Sequence, residues 1–256
     1  MGARSAEQLG QSMTRPRSPA HARFLVIGAG GLGCPALLGL VEGGARSLSV
    51  VDDDQVDLSN LPRQVLYSTG DLGLAKVDAA TYALRARCPE RERLELRTLR
   101  RRLVAEHGEE LDALLARERP DVVLECSDSP RLKFALNDAC VRGGVPLVVG
   151  GVVRWSGQAM AVDPRLEDRA CYRCLFEAPP PPELSPACAS VGVFGPAAGA
   201  LGHVMAQLAL ALLEPARSPA GQFTHFDLKN FQVRQLSPKP RRDCISCGRN
   251  TEFGAT

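Results

Sequence analysis

The stretch Phe24-Leu-Val-Ile-Gly-Ala-Gly-Gly-Leu-Gly33 constrains this chain more than any other. Its apolar run, Phe24 to Ile27, reads as a buried parallel strand. The run breaks at Gly28-x-Gly30-x-x-Gly33, and a helix follows from Cys34 with Pro35 in its first turn. Glycines let the backbone turn sharply there and approach a phosphate, while the helix N-terminus offers unpaired N–H groups and a partial positive charge. Asp52 ends the next apolar run, Leu48 to Val51, where a carboxylate would read a ribose hydroxyl. The pattern points to a nucleotide site without naming the nucleotide. Tight packing of strand on helix is the plainer use of the same glycines.

The remainder of the chain extends this beginning. Residues 1–22 lack hydrophobic periodicity and read as a flexible arm. Gly43-Gly44 closes the first helix, and a polar loop fills 52–64. The spacing then predicts an amphipathic helix over 74–87 stopped by Pro89, a strand over 94–99 and a helix over 105–117. Val122 to Cys126 reads as a buried strand, Pro130 opens a helix ending at Gly143-Gly144, and Pro146 to Val149 supplies another strand. Such β–α alternation means a mostly parallel sheet with right-handed crossovers. From about residue 152 the character changes. Trp155 to Asp163 alternates like an antiparallel strand, 178–187 is a Pro-rich loop, 196–213 an apolar helix, and 222–236 resembles two edge strands. The economical reading is a second, mixed part of one sheet.

Composition excludes several classes. At 45% hydrophobic and 23% charged residues, the 256-residue chain matches an ordinary globular protein with a sizeable core. A net charge of +2 argues against a general nucleic-acid surface. No apolar run approaches the ~20 residues of a membrane span, and no secretory signal is evident. Of nine cysteines, four fall in two C-x-x-C pairs, which points to a reducing cytoplasm and a metal site rather than a disulfide framework.

Two constellations carry chemistry. After Asp52 come Asp54, Asn60, Arg63 and Lys76, a cluster suited to holding a triphosphate and neutralising its developing charge. Asp128 lies just past a strand end, at the sheet edge where ligands bind in open α/β folds. A carboxylate opposite phosphates suits Mg²⁺. The plainer uses are a loop ion pair for Arg63 and Lys76, and a helix N-cap for Asp128 ahead of Pro130. Cys171-x-x-Cys174 and Cys244-x-x-Cys247 offer the thiolate set of a closed, structural Zn²⁺ site. Because the pairs lie about 70 residues apart, the metal would tie the C-terminal tail back onto the domain.

GAGGLG, D-x-D, SNLPRQ, the Lys of GLAK, ECSD, CYRC and CISC together resemble the MoeB/ThiF/HesA adenylyltransferases, bacterial relatives of ubiquitin-activating enzymes, over residues 24–248. Within that family the chain is read as nearest the molybdopterin-synthase adenylyltransferases. The resemblance implies a Rossmann-like α/β fold with helices on both faces of the sheet and a C-terminal section clamped by a four-cysteine zinc site. It divides the single adenylation domain, 23–256, into a nucleotide-binding part (23–151) and a carrier-binding and zinc part (152–256). It also implies Mg-ATP-dependent adenylation of the C-terminal glycine of a small ubiquitin-like sulfur-carrier protein with a Gly-Gly end, by a homodimer in the cytoplasm. By that resemblance Gly28, Gly30, Gly31 and Gly33 form the phosphate turn and Asp52 holds the ribose. Asp54, Ser59, Asn60, Arg63, Gln64, Lys76, Asp128 and Ser129 belong to the nucleotide site, Arg63, Lys76 and Asp128 acting catalytically, and Asp128 matches the metal-binding carboxylate. Cys188 matches the crossover-loop cysteine that in some members forms a thioester or persulfide link with the carrier; an ordinary loop thiol is the alternative.

Two departures stand out. Residues 1–22 lack the family's R-Y-x-R-Q-type segment, which sends an arginine into the partner subunit's site, and leave Arg15 or Arg17 as substitutes. Ser129 stands where the family usually has asparagine. Two other readings remain open: a non-catalytic or NAD-binding protein of the same fold with structural zinc, and activation of a peptide or tRNA carboxylate. A dinucleotide binder has no use for Arg63, Lys76 and Asp128.

Overall fold

The computed structural model describes residues 17–88, 91–181 and 192–248. Strands β1 (Arg23–Ile27), β2 (Ser47–Val51), β3 (Glu95–Leu99), β4 (Val122–Glu125), β5 (Leu147–Val153), β6 (Ser156–Val162), β7 (Phe223–Asp227) and β8 (Gln232–Leu236) form one eight-stranded sheet in the order β3-β2-β1-β4-β5-β6-β7-β8. Pairing is parallel from β3 through β5 and antiparallel from β5 onward. The α/β fold expected from the alternation is thus present, with its mixed C-terminal part continuing the same sheet.

Helices α1 (Gly33–Glu42), α2 (Lys76–Arg87), α3 (Gly108–Glu118), α4 (Pro130–Gly143), α5 (Tyr172–Leu175) and α6 (Gly195–Ala211) cover both faces. Side chains alternate across β1, so Phe24 and Val26 join a core with Leu37, Leu40, Leu84, Leu201 and Met205. Leu25 and Ile27 enter a second core with Leu111, Leu114, Leu136 and Tyr172 on the other face. Burial on both sides explains why these strands read as continuous apolar runs.

Three details differ from the sequence expectation. The polar stretch 52–64 is not all loop, because Leu58–Arg63 winds into a 3-10 helix whose first turn is capped by the Asp57 side chain accepting the Ser59 N–H. Of the two strands in 222–236, only β8 is an edge, since β7 is hydrogen-bonded on both sides. Residues 17–22, read as the end of the arm, lie against the domain: the Arg17 N–H donates to the Leu213 carbonyl at 3.2 Å and its guanidinium pairs with Asp121. Asp121 precedes β4, so Arg17 sits at the sheet end opposite its own chain's glycine turn. Arg15 lies outside the described residues.

Candidate active site

The glycine turn is stitched to the strands on either side of it. The Gly28 N–H donates to the Val51 carbonyl at 2.8 Å, and the Cys126 N–H to the Ile27 carbonyl at 2.8 Å. Gly28 has φ +93°, and a Cβ there would lie 3.1 Å from the Cys126 and Ser127 backbone. Gly33 starts α1 so close behind the turn that a Cβ would lie 1.9 Å from the Gly28 carbonyl oxygen. Gly33→Ala is therefore expected to lower stability by about 1–3 kcal/mol and to weaken nucleotide binding. A denaturation midpoint at the wild-type value would show that the turn is not fixed in this way.

Around the turn, at the carboxyl ends of β1, β2 and β4, opens a cavity of about 800 Å³. It gathers Gly28, Gly30, Gly31, Asp52, Asp54, Asn60, Arg63, Gln64, Lys76, Asp128 and Ser129 from five separate stretches of chain. Gly33 and Ser59 stand apart from its wall. Gly33 packs behind the turn, and Ser59 turns its hydroxyl to Asp57.

Local hydrogen bonds place each group. Asp52 accepts the Ala29 N–H at 2.7 Å and the Asp54 N–H at 2.9 Å, so it ties the glycine turn to the following loop. Burial pushes its carboxyl above the ordinary value, against those two hydrogen bonds. The Lys76 ammonium is 2.7 Å from Asp54, on a side chain that is almost wholly buried while that of Asp54 is exposed. Arg63 runs past Gly31, where a Cβ would lie 3.4 Å from its Cγ. Its guanidinium donates to Asn60 Oδ1 and, at 3.2 Å, to the Ser59 carbonyl. Asn60 thus positions Arg63 across one turn of the 3-10 helix. Gln64 is buried, and its Oε1 has no hydrogen-bond partner among the described residues, which leaves it free to accept from a ligand in the cavity.

The turn after β4 resolves the question of the helix cap. Ser129, not Asp128, caps α4 by accepting the Leu132 N–H at 3.3 Å. Asp128 is left exposed on the cavity wall. The thiols under the site are unsuited to nucleophilic work: burial pushes Cys34 up to about 12 and raises Cys126 as well. Cys188 lies outside the described residues.

The second constellation assembles behind α4. Cys171, Cys174, Cys244 and Cys247 place their sulfurs within 4.8 Å of one another. Separations of 3.9, 3.7 and 3.4 Å are far from the ~2.05 Å of a disulfide. They match the ~3.8 Å edge of a sulfur tetrahedron about a metal at ~2.3 Å. Asn137, fully buried, accepts the Tyr172 N–H at 2.9 Å and donates to Ser246 at 3.0 Å, joining the two knuckles. The Asp138 carboxylate accepts from Arg173 Nε and Nη2 at 2.6 and 2.7 Å.

Several groups escaped the sequence reading. Glu125 and Lys133 form a buried pair beneath the Asp128 turn. Across the cavity, the β6–β7 register sets Gln158 beside His225, and Ser156 Oγ lies 2.8 Å from His225 Nε2. Only strand register brings these together, and no spacing in the sequence announces it. No helix among the described residues is long and apolar enough to cross a membrane.

Comparison with known proteins shows the chain's family. The ThiF family matches residues 17–247. The sulfur carrier protein ThiS adenylyltransferase of Escherichia coli is 38% identical over 226 residues, covering 88% of this chain and 86% of that protein. The sulfur carrier protein adenylyltransferase of Thermus thermophilus is 40% identical over 233 residues, 89% of this chain and 83% of its own length. The crystal structure of Escherichia coli MccB with ATP matches with a TM-score of 0.74 over 90% of this chain and 68% of that one; at 18% identity this likeness shows the fold. With nearly its whole described length matched in sequence, this chain belongs to the ThiF family.

Proposed function

We propose that the protein is a sulfur-carrier adenylyltransferase: it transfers AMP from ATP to the C-terminal glycine of a small ubiquitin-like carrier, acting as a homodimer in a reducing cytoplasm. One observation carries this reading. A single cavity joins a glycine turn and a ribose-side carboxylate to Arg63, Lys76 and Asp128, and extends beyond them to Gly151, Gly157 and Gln158. The first half suits a triphosphate, and the second leaves room for a slender acyl partner. The relatives named above act on sulfur-carrier proteins, which supports that partner class. The molybdopterin-synthase carrier is the narrower form of the proposal. A dinucleotide binder would leave Arg63, Lys76 and Asp128 without a task.

In this reaction a glycine carboxylate oxygen attacks the α-phosphorus, and the electron pair of the broken bond leaves with pyrophosphate. No proton has to move, so the protein's task is positioning and charge neutralisation. The amide groups of the glycine turn and the N-terminus of α1 receive the phosphates. Asp52 holds the ribose, and Arg63 and Lys76 offset charge growing on the leaving group. Asp128, with the phosphate oxygens, fits the carboxylate-plus-phosphate donor set of Mg²⁺, which would add charge neutralisation when bound. The four clustered cysteines would hold Zn²⁺ in a closed site away from the chemistry.

Because the step is reversible, enzyme, Mg-ATP and a Gly-Gly-ended carrier should move labelled pyrophosphate into ATP. A carrier lacking its last glycine should give no exchange. Running the assay with each Gly-Gly-ended carrier of the same genome identifies the partner. Absence of exchange with all of them, together with tight NAD binding, would overturn the reading.

A further inference from the structure

At the floor of the cavity, which Lys133 itself lines, is a buried ion pair that adenylation does not itself require. Glu125, the last residue of β4, is fully buried, and Lys133, in the first turn of α4, is 7% exposed. The Lys133 ammonium donates to the Glu125 carboxylate and, at 2.7 Å, to the Ser127 carbonyl. The Ser127 N–H donates back to Glu125 Oε1 at 3.0 Å, and the Ser129 N–H donates to Ser127 Oγ at 3.3 Å. Both neighbours of Asp128 are therefore held, one by the pair and one by the helix cap, while Asp128 stands on the cavity wall.

A buried ion pair is a poor way to gain stability, since an apolar pair of similar volume is often as good or better. What this pair supplies is geometry: its cation bridges the end of a strand and the carbonyl just before Asp128. We propose that Lys133 is a positioning residue that, by joining Glu125 to the Ser127 carbonyl, fixes the turn aiming Asp128 at the phosphates. The inference rests on the adenylyltransferase reading of Asp128.

The test compares Lys133→Met, the paired replacement Glu125→Gln/Lys133→Met, Lys133→Arg and Asp128→Asn. Lys133→Met leaves Glu125 unpaired and should lower the thermal midpoint, whereas the paired replacement should recover most of it. In the nucleotide-free protein, the paired replacement should still lower amide-exchange protection at Ser127, Asp128 and Ser129 by about tenfold or more. The saturating rate of pyrophosphate exchange should fall about ten- to a hundredfold. On the Asp128→Asn background it should cost no further activity, because Lys133 acts through Asp128. Lys133→Arg, keeping a charged donor, should recover part of both losses and serves if the paired replacement does not fold. Wild-type amide protection together with a wild-type saturating rate overturns the proposal, and so does an undiminished rate loss on the Asp128→Asn background. If the wild-type protein gives no exchange with any carrier, the adenylation reading fails, and the amide-exchange arm still decides whether Lys133 holds the turn.

Discussion

Arg63→Ala is expected to lower the saturating rate of pyrophosphate–ATP exchange by about a hundredfold or more, with little change in thermal midpoint. The guanidinium is aimed before substrate arrives: Asn60 Oδ1 and the Ser59 carbonyl hold it, and its stem runs along Gly31 under the phosphate turn. Such a preorganised cation interacts most strongly as charge builds on the departing pyrophosphate, so its loss should appear in kcat more than in KM. Lys76→Ala should act in the same direction. Its side chain is buried, and its partner Asp54 is exposed enough to be solvated once alone, so the fold should tolerate the change. Asn60→Ala should cost less than Arg63→Ala, since it frees the cation without removing it. Asp52→Asn should raise KM for ATP more than it lowers kcat, because the ribose is held alike in ground and transition states. Asp52 also accepts the Ala29 and Asp54 N–H groups, so asparagine, which keeps one acceptor oxygen, is a cleaner probe than alanine. An Arg63→Ala protein with a saturating rate within a few-fold of wild type would remove Arg63 from the proposed chemistry.

How far the sequence is legible depends on whether the deciding interaction is local. The β1–turn–α1 unit is legible because a short apolar run, three spaced glycines and Pro35 act over neighbouring residues. The 3-10 helix over Leu58–Arg63 is hidden, because Pro62 and its polar neighbours mimic a loop and the capping Asp57 looks like one more loop carboxylate. Asp128 and Ser129 are both good N-caps by type, and only the backbone decides that Ser129 takes the role. Glu125 falls inside a strand legible as buried, but its partner Lys133 is brought to it only when a turn and a helix fold back over the strand end. Asn137 reads as one polar position on an amphipathic helix, yet it is fully buried between two cysteine knuckles that the chain itself separates widely. β7 looks like an edge strand, and only the highly exposed β8 makes it interior.

The purified protein is expected to hold about one Zn²⁺ per chain, and Cys174→Ser to release it with a large loss of stability. Residues 237–248 contain no helix or strand, yet they carry Cys244 and Cys247 into contact with Cys171 and Cys174. Besides the sulfurs, what attaches this tail is modest: the Asn137–Ser246 hydrogen bond, the Arg241 N–H to Cys174 Sγ at 3.4 Å, and the ion pair of Arg241 with the exposed Glu177. Structural zinc binding contributes on the order of 10 kcal/mol to folding in small domains, and here most of it would act on the tail and the α5 knuckle. Both cores run across the whole sheet, and their residues on β1, β2 and β4 lie away from the tail. Removing the metal should therefore open 237–248 to protease first and lower the thermal midpoint of the domain. The effect on the nucleotide pocket should be smaller. α4 meets the knuckles at Asn137 and Asp138, but its other end stays fixed by the Ser129 cap and the Lys133–Glu125 pair. Metal analysis showing no zinc, with Cys171, Cys174, Cys244 and Cys247 oxidised in pairs, would contradict the structural-zinc reading, and so would a Cys174→Ser protein as protease-resistant as wild type.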